Sequence, residues 1–228
     1  MVAGQAVKAG ATMWSAAEAT EPVVENGLVT GAVIHHKESD THETVRARFL
    51  VVADGANSRF GRALGTARDR TYPLGMAIRG YFESDMHDDP WIESHLDIRD
   101  KDGEHLPGYG WVFPAADGTI NVGVGLLSTF AGWKSINTSR LMEAFVHTAP
   151  DYWGIDASTS CGPPTGGKLP TGASVAPRTG PTWVVIGDAA ASINPFNGEG
   201  IAYAYETGRI AAGALDTALN TGDGLALA

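Results

Sequence analysis

The chain has 228 residues, which is enough for one or two domains with a substantial core. Its 43% hydrophobic and 18% charged residues exclude a disordered chain or a coiled coil, and its 29 unrepeated glycines exclude collagen and indicate many turns. Because 26 acidic residues outnumber 16 basic ones, giving a formal charge of -10, the composition also argues against nucleic-acid binding.

Cysteine content and hydropathy bear on the compartment. The single cysteine, Cys161, excludes an internal disulfide framework and favours a reducing compartment, for which the cytosol is the default. The uncharged stretch 118–133 is too short and too rich in glycine to span a bilayer, and the first residues do not form a signal peptide. We therefore expect a cytoplasmic protein, and the composition leaves peripheral contact with the inner face of the membrane open.

The first predicted elements are the strands of a β-meander. Two apolar runs between residues 12 and 36 are separated by Asn26-Gly27, a pair typical of a tight hairpin turn. A polar turn at 37–43 leads to a third strand at 44–48, whose polar and apolar residues alternate. Together these segments predict an antiparallel sheet.

A buried strand and a short helix follow the meander. FLVVAD, residues 49–54, is a continuous apolar run that predicts a buried strand, and it ends at Asp54-Gly55. NSRFGRAL, residues 57–64, predicts a short helix that ends at Gly65.

The middle of the chain predicts a second antiparallel sheet and one amphipathic helix. Its four strand candidates are LGMAIRGYF, IESHLDI, GYGWVFP and TINVGVGLL, between Tyr72 and about Ser128. The helix is predicted over Arg140–Thr148, capped by Thr138 or Ser139 and ended before Pro150.

The last block carries the strongest functional signal. A buried strand, TWVVIGD, ends at Gly187-Asp188, and the glycine-rich loop 191–200 leads into a helix predicted from Ile201 to about Asn220. The free N–H groups at the start of that helix favour an anion such as a pyrophosphate or the negative charge of a reduced flavin. Asp188 would accept a hydrogen bond from a ribose or ribitol hydroxyl. An ordinary strand–turn–helix remains the alternative.

Two phrases resemble the FAD-contacting motifs of the geranylgeranyl reductase and aromatic-hydroxylase group of flavoproteins. GDAAASINPFNGEG, residues 187–200, is similar to the second FAD motif of that group, and ADGANSRFG, residues 53–61, is similar to its Asp-Gly motif. Read alone, Asp54-Gly55 could equally be a plain turn. The resemblance implies a set of cofactor-binding residues: Asp54, Gly55, Gly187, Asp188, Pro195, Gly198, Glu199, Gly200 and Ile201. The backbone amides of the last four would stabilise negative charge on the flavin.

A third phrase, PGYGWVFP at residues 107–114, is similar to the aromatic signature of the geranylgeranyl reductases. Over nearly its whole length the chain resembles the actinobacterial menaquinone reductases of that group. A two-residue period places Tyr109, Trp111 and Phe113 on one face of a strand, where they would form an aromatic wall against a prenyl chain or a flavin. Ordinary packing of a sheet is the alternative interpretation.

Other motifs are set aside. GPPTGGK at 162–168 has the spacing of a phosphate-binding loop, but Leu169 and Pro170 replace the hydroxyl residue and the helix that such a loop needs. We expect KLPTG, residues 168–172, to be a turn that lines the cavity or lies on the surface. The histidines at 35, 36 and 42 have no metal-ligand pattern, and we expect no metal site.

The sequence contains no Gly-x-Gly-x-x-Gly phrase with an acidic residue about 20 positions later, the pattern that holds the ADP half of FAD. We therefore expect a part of a longer enzyme that lacks its N-terminal dinucleotide-binding segment. The predicted fold is α/β (α+β): an incomplete, aromatic-hydroxylase-like FAD-binding domain at 1–68 and 180–228, and an antiparallel substrate-binding domain at 69–179.

The resemblance implies an FAD-dependent reductase that saturates isolated C=C bonds in a prenyl chain, of menaquinone or of a geranylgeranyl group. Its electrons would come from NAD(P)H or another low-potential donor, and its partner would be a prenyl lipid. An FAD-dependent monooxygenase or halogenase, and a non-catalytic remnant of the fold, are the alternatives. The sequence identifies no catalytic proton donor.

Overall fold

The computed structural model describes residues 2–100 and 102–222, which form four α-helices and thirteen strands. The helices are α1 (Val2–Lys8), α2 (Arg59–Ala63), α3 (Thr138–Thr148) and α4 (Ile201–Thr221). The strands are β1 (Ala17–Glu25), β2 (Leu28–His36), β3 (Thr41–Arg46), β4 (Leu50–Val52), β5 (Ala67–Arg68), β6 (Leu74–Glu83), β7 (Glu93–His95), β8 (Gly108–Pro114), β9 (Thr119–Leu127), β10 (Thr165–Pro170), β11 (Val175–Ala176), β12 (Thr179–Gly180) and β13 (Trp183–Val185).

The predicted meander is the antiparallel sheet β1-β2-β3. Asn26 and Gly27 have φ angles of 51° and 79°, and this pair of positive values is the geometry of a type I′ hairpin turn. The first strand begins at Ala17, later than the predicted start at residue 12, because Ala16 turns the chain with a φ of 53°. The prediction of a hairpin is confirmed and its first boundary is corrected.

The strand predicted from FLVVAD is shorter and less buried than its composition indicates. β4 pairs in parallel with β13 and lies at the edge of the sheet β12-β13-β4. Val52 is buried, whereas the neighbouring Val51 is 41% exposed. A continuous apolar run predicts burial on both faces, but the described elements cover only one face of this edge strand.

The larger sheet has the order β10-β6-β9-β8-β7, and all its neighbouring pairs are antiparallel. Helix α3 packs on one face through Leu141, Met142 and Phe145. Gly110 lies under this helix, where a Cβ atom would come within 2.9 Å of Phe145 Cδ2. The predicted sheet and helix are thus confirmed.

Two local predictions in this region were wrong. The cap of α3 is Asn137, whose Oδ1 accepts the N–H of Arg140 at 3.1 Å, because Thr138 already belongs to the helix. Residues 165–170 form a strand, β10, whereas the sequence predicted a turn at KLPTG. Glycines weaken strand propensity, but an edge strand needs backbone pairing with only one neighbour, which β6 supplies.

Two clusters of buried residues support these layers. One lies between the large sheet and α3 and includes Val112, Ile120 and Val122, none of which is exposed. The other lies between β2, β4, β13 and α2 and includes Val52, Phe60 and Trp183.

Within residues 2–100 and 102–222, no helix is both long and apolar enough to cross a membrane.

Candidate active site

The Asp54-Gly55 and Gly187-Asp188 motifs meet at one end of the parallel pair β4 and β13. β4 and β13 run in parallel with Val52 opposite Val185, so the chain leaves both strands at the same edge. Gly55 follows the first strand and Gly187-Asp188 follows the second. They line an open cavity of about 530 Å³, whose lining residues are Ala53, Gly55, Leu169, Ile186, Gly187, Asp188, Ile193, Gly198, Gly200, Ile201 and Ala204.

Helix α4 is held close to the end of β13. Gly187 has a φ of 60°, and its N–H donates to Thr207 Oγ1 at 3.0 Å. A Cβ atom at Gly187 would lie 3.5 Å from the methyl group of Ala204. Glycine is therefore favoured here by its backbone conformation, while the helix contact places the start of α4 over the cavity.

The loop 194–200 is held in shape by its own side chains. Asn194 Oδ1 accepts the N–H of Phe196 at 2.8 Å, and the Asn194 carbonyl accepts the N–H of Gly198 at 3.0 Å. Asn197 Oδ1 accepts the N–H of Glu199 at 3.0 Å. The loop does not need a ligand to satisfy these amides, so it is organised in advance.

The hydrogen bonds within the loop leave fewer backbone amides free for an anion than the sequence predicted. Of the four amides assigned to it, those of Gly198 and Glu199 are already engaged within the loop. Glu199 Oε1 instead accepts the N–H of Ala202 at 2.8 Å, as a helix cap does. The amides of Gly200 and Ile201 have no acceptor in the described part of the chain and stay available at the N-terminus of α4.

The two aspartates have different surroundings. Asp54 Oδ2 accepts the N–H of Phe60 at 3.0 Å, so its carboxylate caps α2, and its neighbours Ala53 and Gly55 line the cavity. Asp188 lines the cavity itself, and no donor from the described residues reaches its carboxylate. Burial raises the pKa of Asp188. Asp188 is the carboxylate that is free to accept a ligand hydroxyl.

Pro195 and Phe196 form the exposed tip of the loop, and the Phe196 side chain is 93% exposed. Pro195 lies outside the residues that line the cavity. Its predicted contact with the cofactor remains a prediction.

The predicted aromatic wall lies on the face of the large sheet opposite α3. Tyr109 and Trp111 have ring centroids 5.7 Å apart, and Trp111 and Phe113 have centroids 6.0 Å apart. All three rings are partly exposed, which distinguishes this face from the fully buried face under α3. The shared face follows from the two-residue period of a strand.

Three residues that sequence reasoning left out fix the Trp111 ring. Asn121 Oδ1 accepts the Trp111 Nε1–H at 2.8 Å. Gly123 lies opposite Trp111 on β9, and a Cβ atom there would come within 2.7 Å of Trp111 Cε2; Gly125 also lies beneath the ring. The phrase Gly123-Val124-Gly125 is the sequence signal for this space, because its two glycines share one face of the strand.

Tyr109 joins the aromatic wall to the cavity loop. Its hydroxyl donates to the Asn197 carbonyl at 2.6 Å, across the two predicted domains. A tyrosine hydroxyl is protonated at neutral pH and can donate this hydrogen bond, and burial raises the pKa of Tyr109 further. A Cβ atom at Gly198 would lie 3.6 Å from the same hydroxyl. The sheet face therefore opens directly onto the glycine-lined cavity.

Substituting Tyr109→Phe should loosen the loop without unfolding the sheet. Loss of one hydrogen bond of about 1 kcal/mol is expected to lower the hydrogen-exchange protection of the Gly198 and Glu199 amides about fivefold. Tyr81→Phe is the matched control, because Tyr81 lies on the same sheet face and its hydroxyl has no partner among the described residues. Equal protection in both variants would contradict a role for Tyr109 in holding the loop.

The remaining candidates do not join this site. His35 stacks on His42 with ring centroids 4.4 Å apart and is paired with Asp40, and His36 is paired with Glu43. No group of three or more metal-ligating side chains was found among the described residues. Cys161 is exposed. A second cavity, of about 720 Å³, lies on the α3 side of the sheet, away from the aromatic wall.

Comparisons with known proteins identify the relatives of this fold. The FAD binding domain family matches residues 1–107. Menaquinone reductase of Mycobacterium tuberculosis is 44% identical over 173 residues, covering 76% of this chain and 42% of the relative. A digeranylgeranylglycerophospholipid reductase of Thermoplasma volcanium is 31% identical over 229 residues, covering 97% of this chain and 54% of the relative.

A solved structure agrees with these sequence relatives. A geranylgeranyl bacteriochlorophyll reductase-like protein of Thermoplasma acidophilum superposes with a TM-score of 0.80 at 29% identity, covering 98% of this chain and 54% of that chain. The chain thus spans about half the length of the relatives it matches. The predicted fold class and the resemblance on which it was based are confirmed.

Proposed function

Since the chain is a relative of the geranylgeranyl reductase family of FAD-dependent oxidoreductases, we propose that it takes part in the saturation of isolated C=C bonds in a prenyl chain. The substrate is the tail of menaquinone or a geranylgeranyl group. One observation carries the proposal: the hydrogen bond from Tyr109 to Asn197 sets the aromatic sheet face directly beside the glycine-lined cavity. A flat cofactor and a flexible apolar chain would meet at that boundary.

The residues around the cavity fit FAD. Where Gly55, Gly187, Gly198 and Gly200 line the cavity, its wall is bare backbone that a flat ring can approach. The free amides of Gly200 and Ile201 would hold negative charge, and the Asp188 carboxylate would accept a sugar hydroxyl. When bound, FAD supplies the hydride chemistry that amino-acid side chains lack. The domain boundaries at 68–69 and 179–180 belong to the same proposal.

The aromatic wall would bind the prenyl chain. Each buried CH₂ contributes about 0.8 kcal/mol to such binding, and the rings of Tyr109, Trp111 and Phe113 offer a rigid apolar surface. Because Asn121 and Gly123 fix the Trp111 ring, the wall needs little ordering when the chain binds. The same surface would exclude water from the reacting double bond.

The electron donor and the membrane contact are further parts of the proposal. NAD(P)H, or another low-potential carrier, would supply the electrons. A menaquinone or geranylgeranyl lipid resides in the bilayer, so a cytoplasmic chain would meet it by peripheral contact at the inner face of the membrane. Co-sedimentation with lipid vesicles that contain menaquinone tests the membrane contact. The electron donor is tested by comparing the rates at which NADH, NADPH and dithionite reduce the flavin.

The proposal is tested by supplying the purified chain with FAD, dithionite and menaquinone under anaerobic conditions. We expect a product whose mass has increased by two hydrogen atoms for each saturated double bond, as measured by mass spectrometry. Trp111→Ala should reduce product formation with little change in bound flavin, because the wall and the cofactor cavity are distinct surfaces. Phe130→Ala, which removes an aromatic ring on the α3 side, is the matched control.

Other outcomes would contradict the proposal. A stable flavin hydroperoxide in air, or a product that has gained an oxygen or halogen atom, would identify a monooxygenase or a halogenase. A chain that binds no flavin and saturates no double bond would be a non-catalytic form of the fold.

A further inference from the structure

A guanidinium group lies on the same sheet face as the aromatic wall. Residues of β6 alternate between the two faces, and Gly80 faces Met142 of α3, so Arg79 faces the other way. Gly75 shares the face of Arg79 and packs on Leu169, which lines the cavity. Arg79 lies four positions along the strand from Gly75, a distance of about 13 Å. Arg79 therefore lies on the same face in the half of β6 that is remote from the cavity.

The neighbours of Arg79 form a small polar corner beside the aromatic wall. The guanidinium lies 5.0 Å from the centroid of the Tyr81 ring. Thr165 pairs with Arg79 on the edge strand β10, and Gly123 pairs with it on β9, under the Trp111 ring. Trp111 and Arg79 are therefore the two cross-strand neighbours of Gly123, which itself carries no side chain.

The guanidinium is not neutralised by a carboxylate. Among residues 2–100 and 102–222, Arg79 makes no ion pair and no side-chain hydrogen bond, and its side chain is exposed. On its own strand and face the nearest acid is Glu83, which is again about 13 Å away. Arginine carries five N–H donors and no acceptor, and a ring contact leaves those donors free. The chain has a formal charge of -10, yet the Arg79 guanidinium keeps its positive charge and its N–H groups available for a ligand acceptor.

We propose that Arg79, assisted by Thr165, binds the oxygen-bearing head of the prenyl lipid. The head would accept hydrogen bonds through the carbonyl of a quinone or through a phosphate, and the tail would lie along Trp111 and Tyr109 toward the cavity. This inference rests on the proposed function. It adds an orientation for the lipid, with the head beside Arg79 and Thr165 and the tail at the cavity. It also adds a distance, because the position of Arg79 lies about 13 Å along β6 from Gly75, beside the cavity.

Calorimetric titration of the purified chain tests this inference with three probes. They are menaquinone with a two-isoprene tail, geranylgeranyl diphosphate, and geranylgeraniol, whose head is one uncharged hydroxyl. Arg79→Gln is expected to weaken the binding of at least one of the first two probes about tenfold, and that of geranylgeraniol less than about twofold. Arg140→Gln, which removes the same charge from exposed helix α3 on the other face, should leave all three unchanged.

The pattern of losses identifies the head. If the diphosphate alone depends on Arg79, and if Arg79→Lys retains much of its binding, the head is a phosphate, because lysine supplies the charge. If the binding of menaquinone depends on Arg79 and Arg79→Lys fails to restore that binding, the head is a quinone held by the planar guanidinium group.

Two results would overturn the inference, and they differ in meaning. If the unaltered chain binds all three probes and Arg79→Gln binds them equally well, the head does not lie at Arg79, while the proposed function stands. If the unaltered chain binds none of the probes, the prenyl-lipid function itself fails. Circular dichroism of Arg79→Gln checks that this exposed substitution leaves the fold intact.

Discussion

Substituting Gly123→Ala is expected to lower the free energy of unfolding by about 2–3 kcal/mol. The new Cβ atom would lie 2.6 Å from the Ile78 carbonyl oxygen and 2.7 Å from Trp111 Cε2. The carbonyl belongs to the backbone of β6 and cannot move without disturbing the sheet, so only the indole can give way. The same substitution should therefore displace Trp111 and shift its fluorescence. Urea denaturation measures the loss of stability.

Gly125→Ala is the matched control for this substitution. It lies on the same strand and the same face, but its Cβ would meet nothing nearer than Trp111 Cζ3 at 3.6 Å. Its stability should stay within about 1 kcal/mol of the unaltered chain, because alanine also restricts the unfolded state. In a Trp111→Ala background, part of the cost of Gly123→Ala should disappear. Equal stabilities of the Gly123 and Gly125 variants would contradict a close fit between Gly123 and the indole.

Substituting Asp188→Asn is expected to have opposite effects on stability and on cofactor binding. Burial raises the pKa of Asp188 above its ordinary value of 3.8, which means that the folded chain disfavours the charged carboxylate. Below that ordinary value the group is protonated in both states and costs nothing. Stability is then lost as the pH rises through the raised pKa, and the loss persists at neutral pH. The neutral variant should consequently have the higher melting temperature at pH 7 in the absence of FAD.

The same variant should bind FAD about tenfold more weakly, because an amide replaces a charged acceptor for the sugar hydroxyl. Thermal melts at pH 7 and at pH 3 measure the first effect, which should vanish at the lower pH. Quenching of flavin fluorescence measures the second. Asp216→Asn, on the exposed side of α4, is the control and should change neither quantity. An unaltered affinity for FAD in Asp188→Asn would remove this residue from the cofactor site.

Local patterns were sufficient to predict much of the fold. The pair Asn26-Gly27 predicted its hairpin because two positive φ angles in succession suit few other residues. Tyr109, Trp111 and Phe113 were placed on one face because strand side chains alternate. The glycine-rich phrase at 191–200 located the start of α4 correctly at Ile201, since a helix N-terminus has recognisable signals in the residues around it.

The wrong predictions have a common physical cause. In each case the conformation, exposure or hydrogen bonding of a residue depends on contacts that a local sequence pattern does not specify. β10 is a strand because β6 pairs with it, although its glycines favour a turn. Val51 is exposed because the described elements cover only one face of β4, a fact that an apolar run does not reveal. Two of the four amides assigned to the anion site are engaged by the loop itself, through the carbonyl and side chain of asparagines that the motif also contains.

The sequence by itself therefore determined most of the elements, the faces of the strands and the two motifs that mark the cavity, because these depend on residues close together in the chain. Only the tertiary structure decided which groups remain free to act. Among the described residues, Asp54 caps α2 while the Asp188 carboxylate has no donor, and Arg79 lies on the sheet face of the aromatic wall without a carboxylate partner. The hydrogen bond from Tyr109 to Asn197, which joins wall and cavity, links residues far apart in sequence. Such contacts depend on how the sheets pack, and no local pattern encodes that packing.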